Sequence, residues 1–184
     1  VMANFLDALK PRVEAIKVGD PKSADTKVGT LISEKEAIRV EKSIAAAVGE
    51  GATLLTGGAR TGAIVQPAIV CGVNPKSAFA QDELFGPAIA VSSTTGITDA
   101  IAIANDSAYG LGAGVFTKNM DNSIQAAREL DAGSIHINWT PLWRADLMPY
   151  GGLKSSGIGK EGVRSTVNEM TEEKTIILHG RSWQ

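Results

Sequence analysis

What most constrains the fold of this 184-residue chain is a regular alternation of strand and helix signals from Ala88 to Asn138. Residues 88–92 read as a strand, 98–105 as a helix capped by Thr98, and 112–117 as a strand. Residues 121–130 read as a helix, with Ile124, Ala127 and Leu130 three positions apart, and 134–138 as a strand carrying Ile135 and Ile137 on one side. Two successive β-α-β units predict neighbouring parallel strands joined by right-handed crossovers. The fold class that follows is α/β, an open, mostly parallel sheet flanked by helices. Ligands of such sheets lie beyond the carboxyl ends of the strands. The long segment 139–159 leaves the last strand at that end, so it is the first place to look for a site.

The amino-terminal half is less regular. Phe5, Leu6, Leu9, Val13 and Ile16 recur at helical spacing up to Val18-Gly19-Asp20-Pro21, with Pro11 expected to kink or split the helix. Ser33 and Glu36 form a capping box ahead of an apolar face of Ala37, Val40, Ile44, Ala47 and Val48 that ends at Gly49. Strands are expected at 53–55 and 67–70, separated by the Gly57-Gly58 turn. A last helix is expected at about 161–169, then an apolar, β-branched strand, Thr175-Ile176-Ile177-Leu178-His179. Such a strand near a chain end needs pairing, either on the sheet edge or with another chain.

Composition removes whole classes of function. Eighteen Lys+Arg against 20 Asp+Glu leave a net charge of -2, without the basic surface that nucleic acid requires. No apolar run reaches the roughly 18 residues that span a bilayer. The length suits one domain able to bury roughly 70% of its unfolded surface. The single cysteine, Cys71, forbids an intrachain disulfide and fits a reducing, cytoplasmic setting. With no base nearby, Cys71 reads as a small buried or half-buried hydrophobe. Position 1 is Val and position 2 Met, which reads as a cut or tag-derived start.

Few motifs carry chemistry. Gly157-Ile158-Gly159-Lys160-Glu161-Gly162 matches G-x-G-x-x-G, but the residues before it cannot form a central strand, so close backbone approach is the better account. His136 and His179 lack acids or thiols at ligand spacing and read as packing or edge residues, so no metal is expected. Gln81-Asp82-Glu83-Leu84-Phe85-Gly86-Pro87 has two readings. It is either a solvated corner or a carboxylate that accepts ribose hydroxyls beside a ring that meets a flat heterocycle.

Ordered motifs along the chain resemble the NAD(P)-dependent aldehyde dehydrogenases. They are Val18-Gly19-Asp20-Pro21, Leu31-Ile32-Ser33, Thr56-Gly57-Gly58, Asp82-Glu83-Leu84-Phe85-Gly86-Pro87 and Asn105-Asp106-Ser107-Ala108-Tyr109-Gly110-Leu111. The series continues with Val115-Phe116-Thr117, Ala132-Gly133-Ser134, Asn138 and Pro149-Tyr150-Gly151-Gly152-Leu153-Lys154-Ser155-Ser156-Gly157. Thr30 stands where many members carry Pro. The resemblance implies that Glu83 holds the nicotinamide ribose of NAD or NADP and that Phe85 lies against the nicotinamide. It also implies that Asn138, Trp139, Trp143, Arg144 and Leu147 line the aldehyde pocket. Arg144 could pair with a substrate carboxylate or phosphonate, or instead with Asp146 or solvent.

The implied parent chemistry is oxidation of an aldehyde to a carboxylic acid through a cysteine thioester, with a glutamate base. That cysteine, that glutamate and the Rossmann domain are expected outside this chain, which would be inactive alone and supply no catalytic residue. Residues 1–170 would be the carboxyl-terminal part of the catalytic domain, and 171–184 an oligomerisation strand and tail joining homo-oligomer subunits. The alternative is a non-catalytic oligomerisation or interaction module derived from that family. If strand 88–92 runs parallel to its neighbours, Glu83 precedes its amino end whereas the Asn138 loop leaves a carboxyl end, a tension for a shared site.

Overall fold

The computed structural model describes residues 1–180 and divides into two compact units, Val1–Thr95 and Gly96–Gln184. The first unit begins with helices α1 (Met2–Glu14) and α2 (Glu34–Gly49). Strand β1 (Thr53–Thr56), the short hairpin β2 (Arg60–Thr61) and β3 (Ile64–Val65), and β4 (Ala68–Cys71) follow. A one-turn helix α3 (Ala78–Gln81) and strand β5 (Ala88–Val91) complete it. β4 is the central strand of a three-stranded sheet, antiparallel to β1 and parallel to β5.

α2 forms as the sequence predicts. The Ser33 hydroxyl accepts from the Glu36 amide at 3.2 Å, satisfying a donor that the first turn would leave open. Ala37, Val40, Ile44 and Ala47 are buried against Val65, Ala68 and Val70. At about 25 cal/mol per Å² of apolar surface removed from water, this face is what holds the helix on the sheet. Val48 falls outside that face, 41% exposed, because only the 37-40-44-47 row points inward. Pro11 does not split α1, which continues through it to Glu14, because a helix survives the loss of one hydrogen bond when its neighbours persist. Cys71 ends β4 half-buried, opposite Thr53 and Val91.

The second unit holds α4 (Ile97–Asn105), β6 (Tyr109–Gly110), β7 (Gly112–Val115), α5 (Met120–Glu129), β8 (Ser134–Ile137), β9 (Leu153–Lys154) and α6 (Val163–Met170). β7 and β8 pair in parallel over four positions, as the second predicted β-α-β unit requires. The first such unit is corrected: β5 pairs with β4, and β7 pairs with β8, so the strands joined by α4 lie in different sheets. Thr98 is not the cap of α4. Gly96 is, and the Thr98 hydroxyl accepts from Gln125 at 3.2 Å. α5 is capped by Asn119, whose side-chain oxygen accepts from the amides of Asp121 and Asn122. Its buried residue is Ala126, whereas Ile124 and Ala127 of the expected apolar row are exposed.

The strand expected at 175–179 is absent from the described residues. Positions 171–180 carry no ladder, and Ile176, Ile177 and Leu178 are 70–89% exposed. Part of the expected tail, 181–184, lies outside the described residues. No described helix is long and apolar enough to cross a membrane.

Candidate functional site

Glu83 and Phe85 stand on the turn between α3 and β5. Its entry is fixed by the Asp82 amide donating to the Ala78 carbonyl at 2.9 Å, and its exit by Ala88 N–H to Gly86 O at 2.8 Å and Ala68 N–H to Pro87 O at 2.8 Å. Two contacts bind the middle of the turn to α2. Arg39 Nη2 donates to the Leu84 carbonyl at 2.6 Å, while its Nε donates to Glu36 at 2.7 Å. Gly86 meanwhile lies so close to α2 that a Cβ there would stand 2.6 Å from a Val40 methyl.

Held from both sides, Phe85 takes φ 47°, a left-handed conformation costing an L-residue about 1–2 kcal/mol. Its ring is 77% exposed, so burial of the side chain does not repay that cost. The Glu83 carboxylate is also exposed and makes no hydrogen bond or ion pair among the described residues. Beneath the turn a pocket of about 130 Å³ opens between α2 and α3, lined in part by Arg39, Ser43, Phe79 and Glu83. An uncommitted carboxylate beside an exposed aromatic ring, on a rigid turn, suits recognition of a sugar diol joined to a flat heterocycle.

In the second unit Asn138 leaves β8 at φ 57°, a conformation asparagine tolerates better than most residues. Its amide N–H donates to Val115 at 2.7 Å, and its side-chain oxygen accepts from the Thr117 amide at 2.8 Å. The residue therefore ties the carboxyl ends of β7 and β8 together where the long loop begins. Gly114 lets that loop fold back, since a Cβ would lie 2.9 Å from the Trp139 carbonyl. Trp139, Trp143 and Leu147 are all exposed, Leu147 at 97%.

Trp143 meets His136 edge-on at 6.3 Å and 76°. That contact gives His136 a packing role, although its Nε2 is buried without a partner among the described residues. Among the described residues Arg144 makes no hydrogen bond or ion pair with Asp146, and its side chain is half-exposed. Its guanidinium lies 3.5 Å from the centre of the Tyr150 ring, and Nη2 is 3.9 Å from Glu161. Stacking uses the face of the guanidinium, and the acid is too far for a hydrogen bond, so among the described residues the in-plane donors have no hydrogen-bond acceptor.

The two groups of residues belong to different units: Glu83 and Phe85 to the first, the Asn138 loop to the second. Within each unit the strand ends are as expected, Glu83 preceding β5 and Asn138 following β8. The glycine run 157–162 packs closely against Gly151 and α6. Lys160 Nζ donates to Gly151 O at 3.0 Å, the Lys160 amide donates to Glu169 at 2.8 Å, and a Cβ on Gly151 would collide with the Gly159 carbonyl. Sequence reasoning does not mark Arg39 or Tyr150 as site residues. The Glu36-Arg39 spacing on α2 is readable as an i,i+3 pair, but the Leu84 carbonyl 45 positions away is not.

The structure thus defines an α/β chain that presents a clamped acidic-aromatic turn in its first unit and a long loop beyond a parallel strand pair in its second. Comparison narrows the class. The aldehyde dehydrogenase family profile matches residues 1–176, and the chain belongs to that family. A 3-sulfolactaldehyde dehydrogenase from Priestia aryabhattai is 43% identical over 175 residues, covering 95% of this chain and 37% of the relative. A glyceraldehyde-3-phosphate dehydrogenase from Methanocaldococcus jannaschii, solved with NADP, superposes with TM-score 0.89 at 38% identity over 96% of this chain and 38% of its own. An aldehyde dehydrogenase of Mycobacterium tuberculosis, solved with NAD+, gives 0.87 at 37% identity over 96% and 37%. The chain thus spans less than two-fifths of the length of these relatives.

Proposed function

We propose that these residues serve an NAD(P)-dependent aldehyde dehydrogenase that oxidises an aldehyde to a carboxylic acid. The observation that carries this reading is the turn 83–86, where an unpaired carboxylate and an exposed ring are presented by a backbone that bears strain to present them. Glu83 would accept hydrogen bonds from the two ribose hydroxyls of NAD or NADP, and Phe85 would cover one face of the nicotinamide. The dinucleotide, when bound, takes up a hydride. What these residues contribute is orientation: a fixed ribose and a covered ring restrict the approach of the reacting carbon.

The acyl-accepting thiol is assigned to residues outside these 184. Cys71 ends the central strand of a sheet, paired on both sides, and among the described residues no hydrogen-bonded base stands beside it to activate it. Residues 1–170 then act as the carboxyl-terminal part of the catalytic domain. The apolar, unpaired stretch 176–178 suits a strand that joins a neighbouring subunit of a homo-oligomer, the role we assign to 171–184. A cytoplasmic setting accords with the single unpaired cysteine.

Trp139, Trp143, Arg144 and Leu147 line the aldehyde pocket in this reading, entered past Asn138. We assign an anionic aldehyde as substrate. The unspent donors of Arg144 support it, as do the sulfonate and phosphate in the substrates that name two of the relatives. The reading is tested in the full-length enzyme with Glu83→Gln and Phe85→Ala. Each is expected to slow hydride transfer or weaken the dinucleotide while thermal unfolding stays unchanged. Wild-type behaviour of both would overturn the assignment.

A further inference from the structure

Among the described residues the hydrogen bonds of the loop 139–148 stay within it. Trp143 N–H donates to Thr140 O at 3.3 Å, Leu142 N–H to Thr140 Oγ1 at 3.3 Å, and Met148 N–H to Ala145 O at 3.0 Å. What joins the loop to its strands is packing on one face. β7 and β8 pair Gly112 with Ser134 and Gly114 with His136, so these four residues share that face. The glycines leave their half of it flat. A Cβ on Gly112 would stand 3.2 Å from Pro141 Cβ, and one on Gly114 2.9 Å from Trp139 O. Trp139 and Pro141 therefore rest on bare backbone, whereas Trp143 meets a side chain, the His136 ring.

His136 is not the residue that packing alone would select. Its Nε2 is buried without a partner among the described residues, a loss of stability that a phenyl ring would not carry. What the imidazole offers instead is size. A five-membered ring is shorter than phenyl, and here it is the floor that the indole meets edge-on at 6.3 Å and 76°. The Trp143 side chain is 51% exposed, so one part of it lies on His136 while another stays open. Because packed side chains transmit displacement to their neighbours, a change in the depth of that floor is passed on to the open part of the indole.

We infer that His136 is a positioning residue that determines specificity: it sets how far the Trp143 indole stands into the aldehyde pocket, and so how bulky an aldehyde enters. The role rests on the reading of 139–147 as that pocket. His136 acts through Trp143 and needs no contact with the aldehyde itself. A smaller side chain at 136 lets the indole sink toward β8 and widens the pocket. A larger ring lifts it and narrows the pocket. Loss of a merely structural contact would instead impair long and short substrates alike, whichever way the size at 136 is changed.

The test uses the full-length enzyme and follows kcat and KM for unbranched aldehydes from propanal to hexanal, and for the same chain lengths ending in a carboxylate. The readout is the ratio of kcat/KM for the longest to that for the shortest member. His136→Ala is expected to raise this ratio roughly three- to tenfold, the range that one aromatic contact supplies, chiefly through KM. His136→Trp should lower it by a similar factor. In a Trp143→Ala background neither change should move the ratio, because the group that His136 positions is gone. Shifts of the same sign in both variants, or shifts that persist without Trp143, overturn the role.

Should His136→Trp not fold, His136→Phe and His136→Val carry the test, one larger and one smaller than the imidazole. Opposite shifts of the ratio are expected, and wild-type ratios in both overturn the proposal. The underlying reading fails separately. If Trp143→Ala itself leaves the ratio at the wild-type value, the pocket assignment falls. If Trp143→Ala changes it and the His136 variants do not, only the role of His136 falls.

Discussion

Gly86→Ala should destabilise the protein through one identifiable collision, and Val40→Ala should relieve it. A methyl built on Gly86 would stand 2.6 Å and 2.8 Å from the two Val40 methyls, against the 3.5–4.0 Å of ordinary carbon contact. Val40 is fully buried in the core beneath α2 and has no solvent side to swing toward. The turn cannot retreat freely either, being fixed at Leu84 O, Gly86 O and Pro87 O. Overpacking of this kind costs about 1–3 kcal/mol. With a urea slope of about 1–3 kcal/mol per M, the unfolding midpoint should fall by roughly 1 M. Val40→Ala alone removes two buried methyls, worth about 2 kcal/mol with the cavity it leaves. In the double variant the methyl introduced at position 86 occupies the vacated space, so the combined loss should be smaller than the sum by at least about 1 kcal/mol. Urea unfolding of the four proteins of the cycle reads this directly. Additivity within about 0.5 kcal/mol would refute the contact as the cause.

Asn138→Ala should cost about 1–2 kcal/mol, losing both the left-handed tolerance and the acceptor for Thr117 N–H; Asn138→Gly should cost less, since it keeps the backbone freedom. Thermal melts of the two variants decide, and equal losses would leave the backbone conformation without a share in the cost. Arg144→Met should lower kcat/KM for a sulfonate- or carboxylate-bearing aldehyde roughly tenfold relative to a neutral one. An unchanged ratio ends the anionic-substrate idea. Ile177→Asp should shift the full-length protein toward a smaller assembly in sedimentation, because a charge cannot enter a buried subunit seam without cost. An unchanged sedimentation coefficient would remove 171–184 from the interface.

The elements readable in advance are those in which one short-range signal suffices. α2 combines a capping box with a row of apolar residues, and its four buried residues all belong to that row. The β7-α5-β8 unit likewise follows from local pattern and the handedness of crossovers. Local reading fails where partners distant in sequence decide. α4 connects β5 to β7 as any crossover helix would, yet β5 finds β4 and β7 finds β8, a choice of neighbours that no window of sequence contains. The hairpin Arg60–Val65 escapes sequence reading because two-residue strands leave no periodicity. It is held partly by Arg60, whose pKa is raised by hydrogen bonding to Glu41, opposed in part by desolvation, and whose Nη1 also reaches Glu34 on α2.

The site shows the same division in sharper form. Motif and side-chain chemistry point to Glu83, Phe85 and Asn138, but neither tells that two of these have positive φ. Among the described residues three non-glycine positions do so, Phe85, Asn138 and Lys154. Each is restrained by a partner remote in sequence. Arg39 holds the carbonyl before Phe85, Thr117 and Val115 hold Asn138, and the Lys154 ammonium donates to Asn105 O at 2.7 Å and lies 3.3 Å from Asp131. A left-handed side-chain-bearing residue persists only where the surroundings over-determine it. The conformations of Phe85 and Asn138 therefore depend on rigid elements beneath them, α2 for one and the β7–β8 pair for the other. It follows that substitutions in those supports, such as Arg39→Met or Val40→Ala, should alter the turn 83–86 before they disturb the rest of the unit. A support that could be removed without consequence for the turn would mean that the strain is local and carries no function.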